Sequence, residues 1–193
     1  MKTLLQAGVA RRDITLPDAG ERFGDPLYVR TLFLDDGIQR FAILALDAGG
    51  IGWIGDIPND FLARLRARIE QECSIPASHV LAAATHTHPS GDLIHCPPEV
   101  LLDRCVDSVT EAMNRKVAAT VAAGQGDEPR FTMNRTLRLD DGRHWSVRHA
   151  NPCPPDEKVR ALGPLDTAIG ILRLDRADGG GTLAVLFHFA CHP

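Results

Sequence analysis

Apolar residues in the first fifty positions form short, interrupted runs of the kind that β-strands show. Three such runs stand at 5–15, 27–34 and 41–46, and Asp35-Asp36-Gly37 separates the last two. An Asp-Gly pair tolerates the positive φ that a tight hairpin turn requires. We therefore expect three strands, of which the second and third form a hairpin.

Two longer segments, near 57–73 and near 98–123, carry apolar residues at helical spacing. The first follows Asp56 and Pro58, an N-cap candidate and a proline in the first turn. The second is expected to end near Gly124, because glycine commonly follows the last turn of a helix. Between them, the continuous apolar run 80–84 predicts a short buried strand.

The last third alternates short β signals with glycine and proline. Candidate strands are 131–139, 168–174 and 183–190, and Asp178-Gly179-Gly180-Gly181 predicts the turn before the last of them. The whole order indicates an α/β (mixed α+β) fold, with mixed, largely antiparallel sheets flanked by two main helices. Because the sequence stops directly after a strand end, we expect residues 1–193 to be a fragment of a longer domain.

Composition narrows the functional classes. The 193 residues are 44% hydrophobic and 24% charged with a formal net charge of -4, which is typical of a globular protein without general affinity for nucleic acid or anionic membranes. The first ten residues lack a signal-peptide pattern and no window suggests a membrane span, so we expect a cytoplasmic protein, or a secreted one if a leader has been removed. Five cysteines without CxxC spacing argue against a disulfide framework.

The strongest chemical signal is Thr85-His86-Thr87-His88, which follows the apolar run 80–84. Side chains two residues apart on an extended chain share a face, so His86 and His88 can point at the same spot. Neutral imidazole is a good zinc ligand, and nearby threonine hydroxyls can fix its tautomer. A bare His-x-His pair also fits two capped or solvent-facing histidines.

Three further residues are candidates for the same site. His192 ends the last predicted strand, where it is either a ligand or a hydrogen-bonded polar residue. Asp47 ends the strand 41–46, where its carboxylate could line the same sheet edge as His86 and bind substrate, or cap a turn. Arg135 lies inside a β run, where it either pairs with an anion or faces water.

Seven short motifs occur in order along nearly the whole chain. They are Gly8-Val9-Ala10-Arg11-Arg12-Asp13-Ile14-Thr15, Asp25-Pro26-Leu27-Tyr28-Val29-Arg30, Ala84-Thr85-His86-Thr87-His88, Asn134-Arg135, Asn151-Pro152, Gly163-Pro164-Leu165-Asp166 and Phe189-Ala190-Cys191-His192-Pro193. Together they resemble the amino-terminal half of the neutral/alkaline non-lysosomal ceramidase family and its bacterial ceramidase-like relatives.

The resemblance implies a zinc-dependent amidohydrolase of lipid, and specifically sphingolipid, metabolism. It implies that His86 and His192 are zinc ligands, and that His88 and Arg135 lie beside the metal and contact the substrate. The family completes its metal shell with a Glu and a Tyr from further along the chain, so either such a segment or a homo-oligomer would complete the site here. The expected partner is a small-molecule or lipid-like amide.

Two alternatives remain open. The turn also resembles the His-x-His-Pro-Ser-Gly metal motif of the JAMM and RadC-like family, but Cys96 and Glu99 stand where that motif needs Ser and Asp. A truncated, metal-free domain that acts in binding is the other alternative.

The sequence departs from the ceramidase pattern directly after the two histidines. The turn continues with Pro89-Ser90-Gly91-Asp92, where ceramidases usually have Ser-Gly-Pro.

Overall fold

A computed structural model describes residues 5–16, 25–52, 57–88, 95–148 and 151–192. The chain divides into two compact units, one made of residues 1–122 with 173–185 and the other of residues 123–172 with 186–192. The described residues form ten strands and two α-helices: β1 (Gln6–Asp13), β2 (Tyr28–Asp35), β3 (Arg40–Leu46), α1 (Phe61–Cys73), β4 (Val80–Ala84), α2 (Pro98–Asn114), β5 (Val117–Asp127), β6 (Thr136–Leu139), β7 (His144–Ser146), β8 (Val159–Leu162), β9 (Ala168–Arg176) and β10 (Thr182–Phe189).

The larger sheet is mixed and has seven strands in the order β10-β9-β5-β1-β2-β3-β4, of which β1 to β4 lie wholly in the first unit. β1, β2 and β3 pair antiparallel, whereas β4 lies parallel to β3. The connection from β3 to β4 passes through α1, as parallel pairing requires a crossover. The α/β fold class with a mixed sheet is thereby confirmed.

Both helices pack on the sheet of the first unit, α2 against β1 and β2, and α1 against α2 and β4. Their apolar faces join alternate strand residues in one buried cluster that includes Phe33, Leu44, Leu65 and Leu101. α2 lies so close to β1 that a Cβ on Gly8 would meet the Ala112 carbonyl oxygen at 1.9 Å. Glycine is therefore required at this crossing.

The second unit contains a three-stranded antiparallel sheet in the order β7-β6-β8. Leu137 and Leu139 of β6 are its buried apolar residues among those described. The Asn134 side chain accepts a hydrogen bond from the Thr136 amide and donates one to the Pro164 carbonyl, at 2.8 Å each. The motifs Asn134-Arg135 and Gly163-Pro164-Leu165-Asp166 are thus neighbours in the fold.

The hairpin predicted at Asp35-Asp36-Gly37 is confirmed. Gly37 has a φ of 86°, and the Asp36 carboxylate accepts hydrogen bonds from the amides of Ile38 and Gln39. The turn predicted before the last strand is confirmed as well, since the Arg176 amide donates to the Gly181 carbonyl. All five cysteines are free, as their spacing predicts.

The predicted extent of the second helix, to residue 123, is wrong. α2 ends at Asn114, and the segment from Val117 onward is β5. Val117 and Ala118 pair with the start of β1, so their apolar side chains belong to a strand rather than to a further turn of the helix. Tertiary pairing here overrides a local pattern that suits both structures.

Three further predictions need correction. α1 begins at Phe61 after Asp60, not at 57, and the proposed N-cap Asp56 lies outside the described residues. β4 has the predicted bounds, but it is an edge strand with Leu81 55% exposed rather than a buried one. The strand predicted at 131–139 is confined to Thr136–Leu139, and β7 and β8 were not predicted.

Within the described part of the chain, no helix is both long and apolar enough to cross a membrane.

Candidate metal centre

The His86–His88 turn begins where two parallel strands end together. Leu46 of β3 lies beside Ala84 of β4, and the Thr85 amide donates a 2.8 Å hydrogen bond to the Leu46 carbonyl. Asp47 and Thr85 therefore leave the sheet side by side. The carboxyl ends of adjacent parallel strands are a common location for ligand-binding groups because the sheet fixes the segments that follow.

His86 has a φ of 62°, one of two positive values among the described non-glycine residues. This left-handed conformation costs a residue with a Cβ about 1–2 kcal/mol. Such strain persists where surrounding contacts determine the backbone, and it occurs often at functional sites. The conformation also ends the extended alternation from which the shared direction of His86 and His88 was predicted.

The two imidazole rings nevertheless converge. Nε2 of His88 lies 3.2 Å from Nε2 of His86, and the ring planes meet at 78°. His86 is half-buried and His88 is exposed. The separation is that of a hydrogen bond between the two rings, and it brings Nε2 of His88 to the ring nitrogen at which His86 could bind a metal.

The tautomer of His86 follows from its other nitrogen. Nδ1 contacts the carbonyl oxygen of Gly49, which can only accept a hydrogen bond, so Nδ1 carries the proton. In the neutral ring, Nε2 then has a lone pair and it faces His88. A backbone carbonyl that fixes the distal nitrogen in this way is the usual arrangement of a metal-binding histidine.

Asp47 is held by two residues of β2 and by Thr85, which follows β4. Its Oδ2 accepts hydrogen bonds from Nη1 of Arg30 at 2.6 Å and from the Tyr28 amide at 3.0 Å. Its Oδ1 accepts one from the Thr85 hydroxyl at 3.4 Å, and Thr85 contacts the Thr87 hydroxyl at 2.8 Å. The Asp47 side chain is 13% exposed. Its predicted role in substrate binding stays a prediction.

Sequence reasoning missed Arg30 and Gly49 as members of this network. Arg30 belongs to the motif 25–30, and its spacing from Asp47 becomes meaningful only through the antiparallel pairing of β2 with β3. Gly49 contributes a backbone carbonyl, which no side-chain motif can reveal.

Arg135 and His192 belong to the second unit. Arg135 is half-buried and lies just before β6. Its backbone carbonyl accepts a 2.9 Å hydrogen bond from the Val147 amide. His192 is exposed and follows β10. The preceding residues are fixed within this unit, because the Thr132 hydroxyl donates to the Ala190 carbonyl at 2.9 Å and the Cys191 thiol to the Phe131 carbonyl at 3.3 Å.

Cys96 and Glu99 do not offer the ligands that the JAMM-like motif would need. Burial raises the pKa of the Cys96 thiol, which disfavours the thiolate that binds metal. Glu99 is exposed on the first turn of α2 and forms an ion pair with Arg64 at 2.5 Å.

Comparison with known proteins gives a likeness of fold. No family model and no curated protein matches the sequence. A solved structure of a ceramidase complexed with C2 matches 98% of this chain with a TM-score of 0.68 and 16% identity. The crystal structure of a neutral ceramidase from Pseudomonas aeruginosa matches 100% of it with a TM-score of 0.61 and 17% identity. This chain spans about a third of those two proteins, 31% and 32%. The chain therefore has a ceramidase-like fold.

Proposed function

We propose that this chain supplies part of a zinc-dependent amidohydrolase site that cleaves an N-acyl amide. The observation that carries the proposal is the His86 tautomer: the Gly49 carbonyl fixes the proton on Nδ1 and leaves the lone pair of Nε2 facing His88 at 3.2 Å. The ceramidase-like fold supports an amide as the bond that is cleaved.

His86 and His192 are the proposed metal ligands in this chain. Both are imidazoles, which zinc accepts together with carboxylate or phenolate oxygens. Bound zinc would supply Lewis-acid activation of water near neutral pH. Catalytic zinc generally has three protein ligands, so the proposal includes at least one further ligand from the rest of a ceramidase-like domain or from a second copy.

His88 and Arg135 have roles that do not require them to bind the metal. Nε2 of His88 can hold the proton that the departing amine needs, since an imidazole exchanges protons near neutral pH. The Arg135 guanidinium can donate hydrogen bonds to a carbonyl oxygen that gains negative charge, or to a substrate carboxylate. The sequence suggests Asp47 as a substrate contact, but both of its carboxylate oxygens already accept hydrogen bonds, from Arg30 and Tyr28 on one side and from Thr85 on the other.

Metal analysis of the purified chain tests the ligand assignment. We expect about one zinc per chain, in line with a single site, and its loss in both His86→Ala and His192→Ala. His144→Ala is the matched control, because His144 lies on β7 and takes no part in the proposed site. Stoichiometric zinc that survives both ligand substitutions would refute the assignment.

Activity toward a panel of N-acyl amides with short and long acyl chains tests the reaction. We expect hydrolysis that a chelator abolishes and zinc restores. His88→Ala should lower kcat about 10²- to 10⁴-fold while zinc remains bound, because a proton carrier acts in the transition state. Chelator-insensitive hydrolysis would exclude the metal mechanism, and a zinc-free, inactive chain would favour the non-catalytic binding domain.

A further inference from the structure

We propose that Asp47 and Thr85 are positioning residues, which together with Thr87 hold His86 in the left-handed conformation that brings its Nε2 to His88. The metal-dependent part of this proposal rests on the function proposed above. The conformational part does not, because it concerns the metal-free chain.

The anchor of the network is the Asp47 carboxylate. Its Oδ2 is held by Nη1 of Arg30 at 2.6 Å and by the Tyr28 amide at 3.0 Å, and the Asp47 amide donates to the Tyr28 carbonyl at 2.9 Å. Asp47 is thus fixed to β2 through both its side chain and its backbone. Oδ1 remains to accept the Thr85 hydroxyl at 3.4 Å.

The direction of the hydroxyl hydrogen bonds follows from the anchor. An ionised carboxylate can only accept, so the Thr85 hydroxyl donates to Asp47. With that donor used, the oxygen of Thr85 can accept from the Thr87 hydroxyl, which lies 2.8 Å away. This chain of hydrogen bonds runs from residue 87 to residue 85 and so spans His86, whose φ is 62°.

The acceptor that orients the His86 ring lies close to Asp47 along the chain. Gly49, whose carbonyl contacts Nδ1 of His86, follows Asp47 by two residues on the segment that leaves β3. The segment after β3 therefore approaches His86 at two points, through the Asp47–Thr85 hydrogen bond and through the Gly49 carbonyl. The Asp47 side chain is only 13% exposed, and its carboxylate accepts hydrogen bonds from three neighbouring groups. These contacts are consistent with a role in positioning.

Nitrogen-detected NMR of the histidine rings in the metal-free chain tests the conformational part. Wild type is expected to show His86 as a single tautomer with the proton on Nδ1, and Thr85→Val, which keeps the shape but removes the hydroxyl, is expected to show a mixture of tautomers. Thr85→Ser should restore the single tautomer. Thr167→Val is the matched control, because the Thr167 hydroxyl makes the same kind of bond to Asp127 at 2.5 Å.

Zinc titration and steady-state kinetics then separate positioning from substrate contact. Loss of a residue that orients a ligand typically weakens metal affinity about 10- to 100-fold, and this is the expected result for Thr85→Val and Asp47→Asn, with KM unchanged at saturating zinc. A raised KM with unchanged zinc affinity and an unchanged His86 tautomer would overturn the proposal and identify Asp47 as a substrate contact. If wild type bound no zinc, the proposed function would fail, while the NMR comparison would still decide the positioning role.

Discussion

At the scale of single residues, His86 combines a strained backbone with a ring whose two nitrogens have different partners. Nδ1 contacts the Gly49 carbonyl, and Nε2 contacts Nε2 of His88. The φ of 62° at His86 carries the ring to the Gly49 carbonyl and places Nε2 3.2 Å from that of His88. The sequence predicted this convergence from the alternation of an extended strand. The structure achieves it through a turn instead, which a His-x-His spacing cannot disclose because αL conformations of non-glycine residues depend on tertiary contacts.

Substitutions at residue 86 test the backbone strain directly. In metal-free protein we expect His86→Gly to be more stable than His86→Ala by roughly 1 kcal/mol, because glycine adopts positive φ without the clash of a Cβ. Urea unfolding of the two variants at neutral pH measures the difference. Greater stability of the alanine variant would show that residue 86 does not have the left-handed conformation.

At the scale of elements, the strands that lead to the His86–His88 turn follow the local sequence pattern more closely than the elements after it. β3 and β4 end within one residue of their predicted ends, because bounded apolar runs and an Asp-Gly turn define them. The boundary of α2 and β5 was missed because Val117 continues a helical stripe and yet pairs with Ala7. The edge position of β4 depends on strand order, which periodicity does not encode.

The crossing of α2 over β1 predicts a large effect from one methyl group. Gly8→Ala should lower the free energy of unfolding by about 1–3 kcal/mol, because the new Cβ would overlap the Ala112 carbonyl, which lies 1.9 Å away and belongs to a packed helix. Gly124→Ala is the matched control, since a Cβ there meets nothing within 4 Å. Equal stabilities of the two variants would contradict the close approach.

The ion pair between Lys116, which precedes β5, and Asp35, which ends β2, predicts a pH dependence of stability. Lys116 donates a 2.7 Å hydrogen bond to the Asp35 carboxylate, and this contact lowers the pKa of Asp35 below its usual range. A lowered folded-state pKa means that the stabilisation is present above the unfolded-state value, about 3.9, and is lost as the pH falls through the folded-state pKa.

Lys116→Met isolates this contribution. We expect the substitution to cost about 1 kcal/mol at neutral pH and less in acid, where protonated Asp35 no longer pairs with the ammonium group. Urea unfolding of wild type and variant across the acid range gives the difference. A cost that does not depend on pH would show that Lys116 acts through packing alone, as its ring contact with Phe33 could allow.

At the scale of the whole molecule, the fold class was predictable because strand runs and helical stripes stand in a clear order along the chain. The seven motifs predicted a ceramidase-like architecture, and the likeness to two solved ceramidases at 16% and 17% identity agrees with it. Two proteins with so few identical residues can share a backbone fold while many of their side chains differ. The ligand set therefore has to be established from binding rather than from fold.

Thermal unfolding in the presence of zinc provides that measurement. A ligand that binds only the folded chain stabilises it by about 2.7 kcal/mol when its free concentration is 100 times Kd. We expect zinc to raise the Tm of wild type and of His144→Ala, but not of His86→Ala or His192→Ala, because each of the latter removes a proposed ligand. Thr85→Val should require roughly 10- to 100-fold more zinc for the same rise, since its ligands remain but are less well oriented. A Tm that rises equally in His192→Ala and wild type would mean that His86 binds zinc without His192. His88 would then be the candidate for the second ligand in this chain.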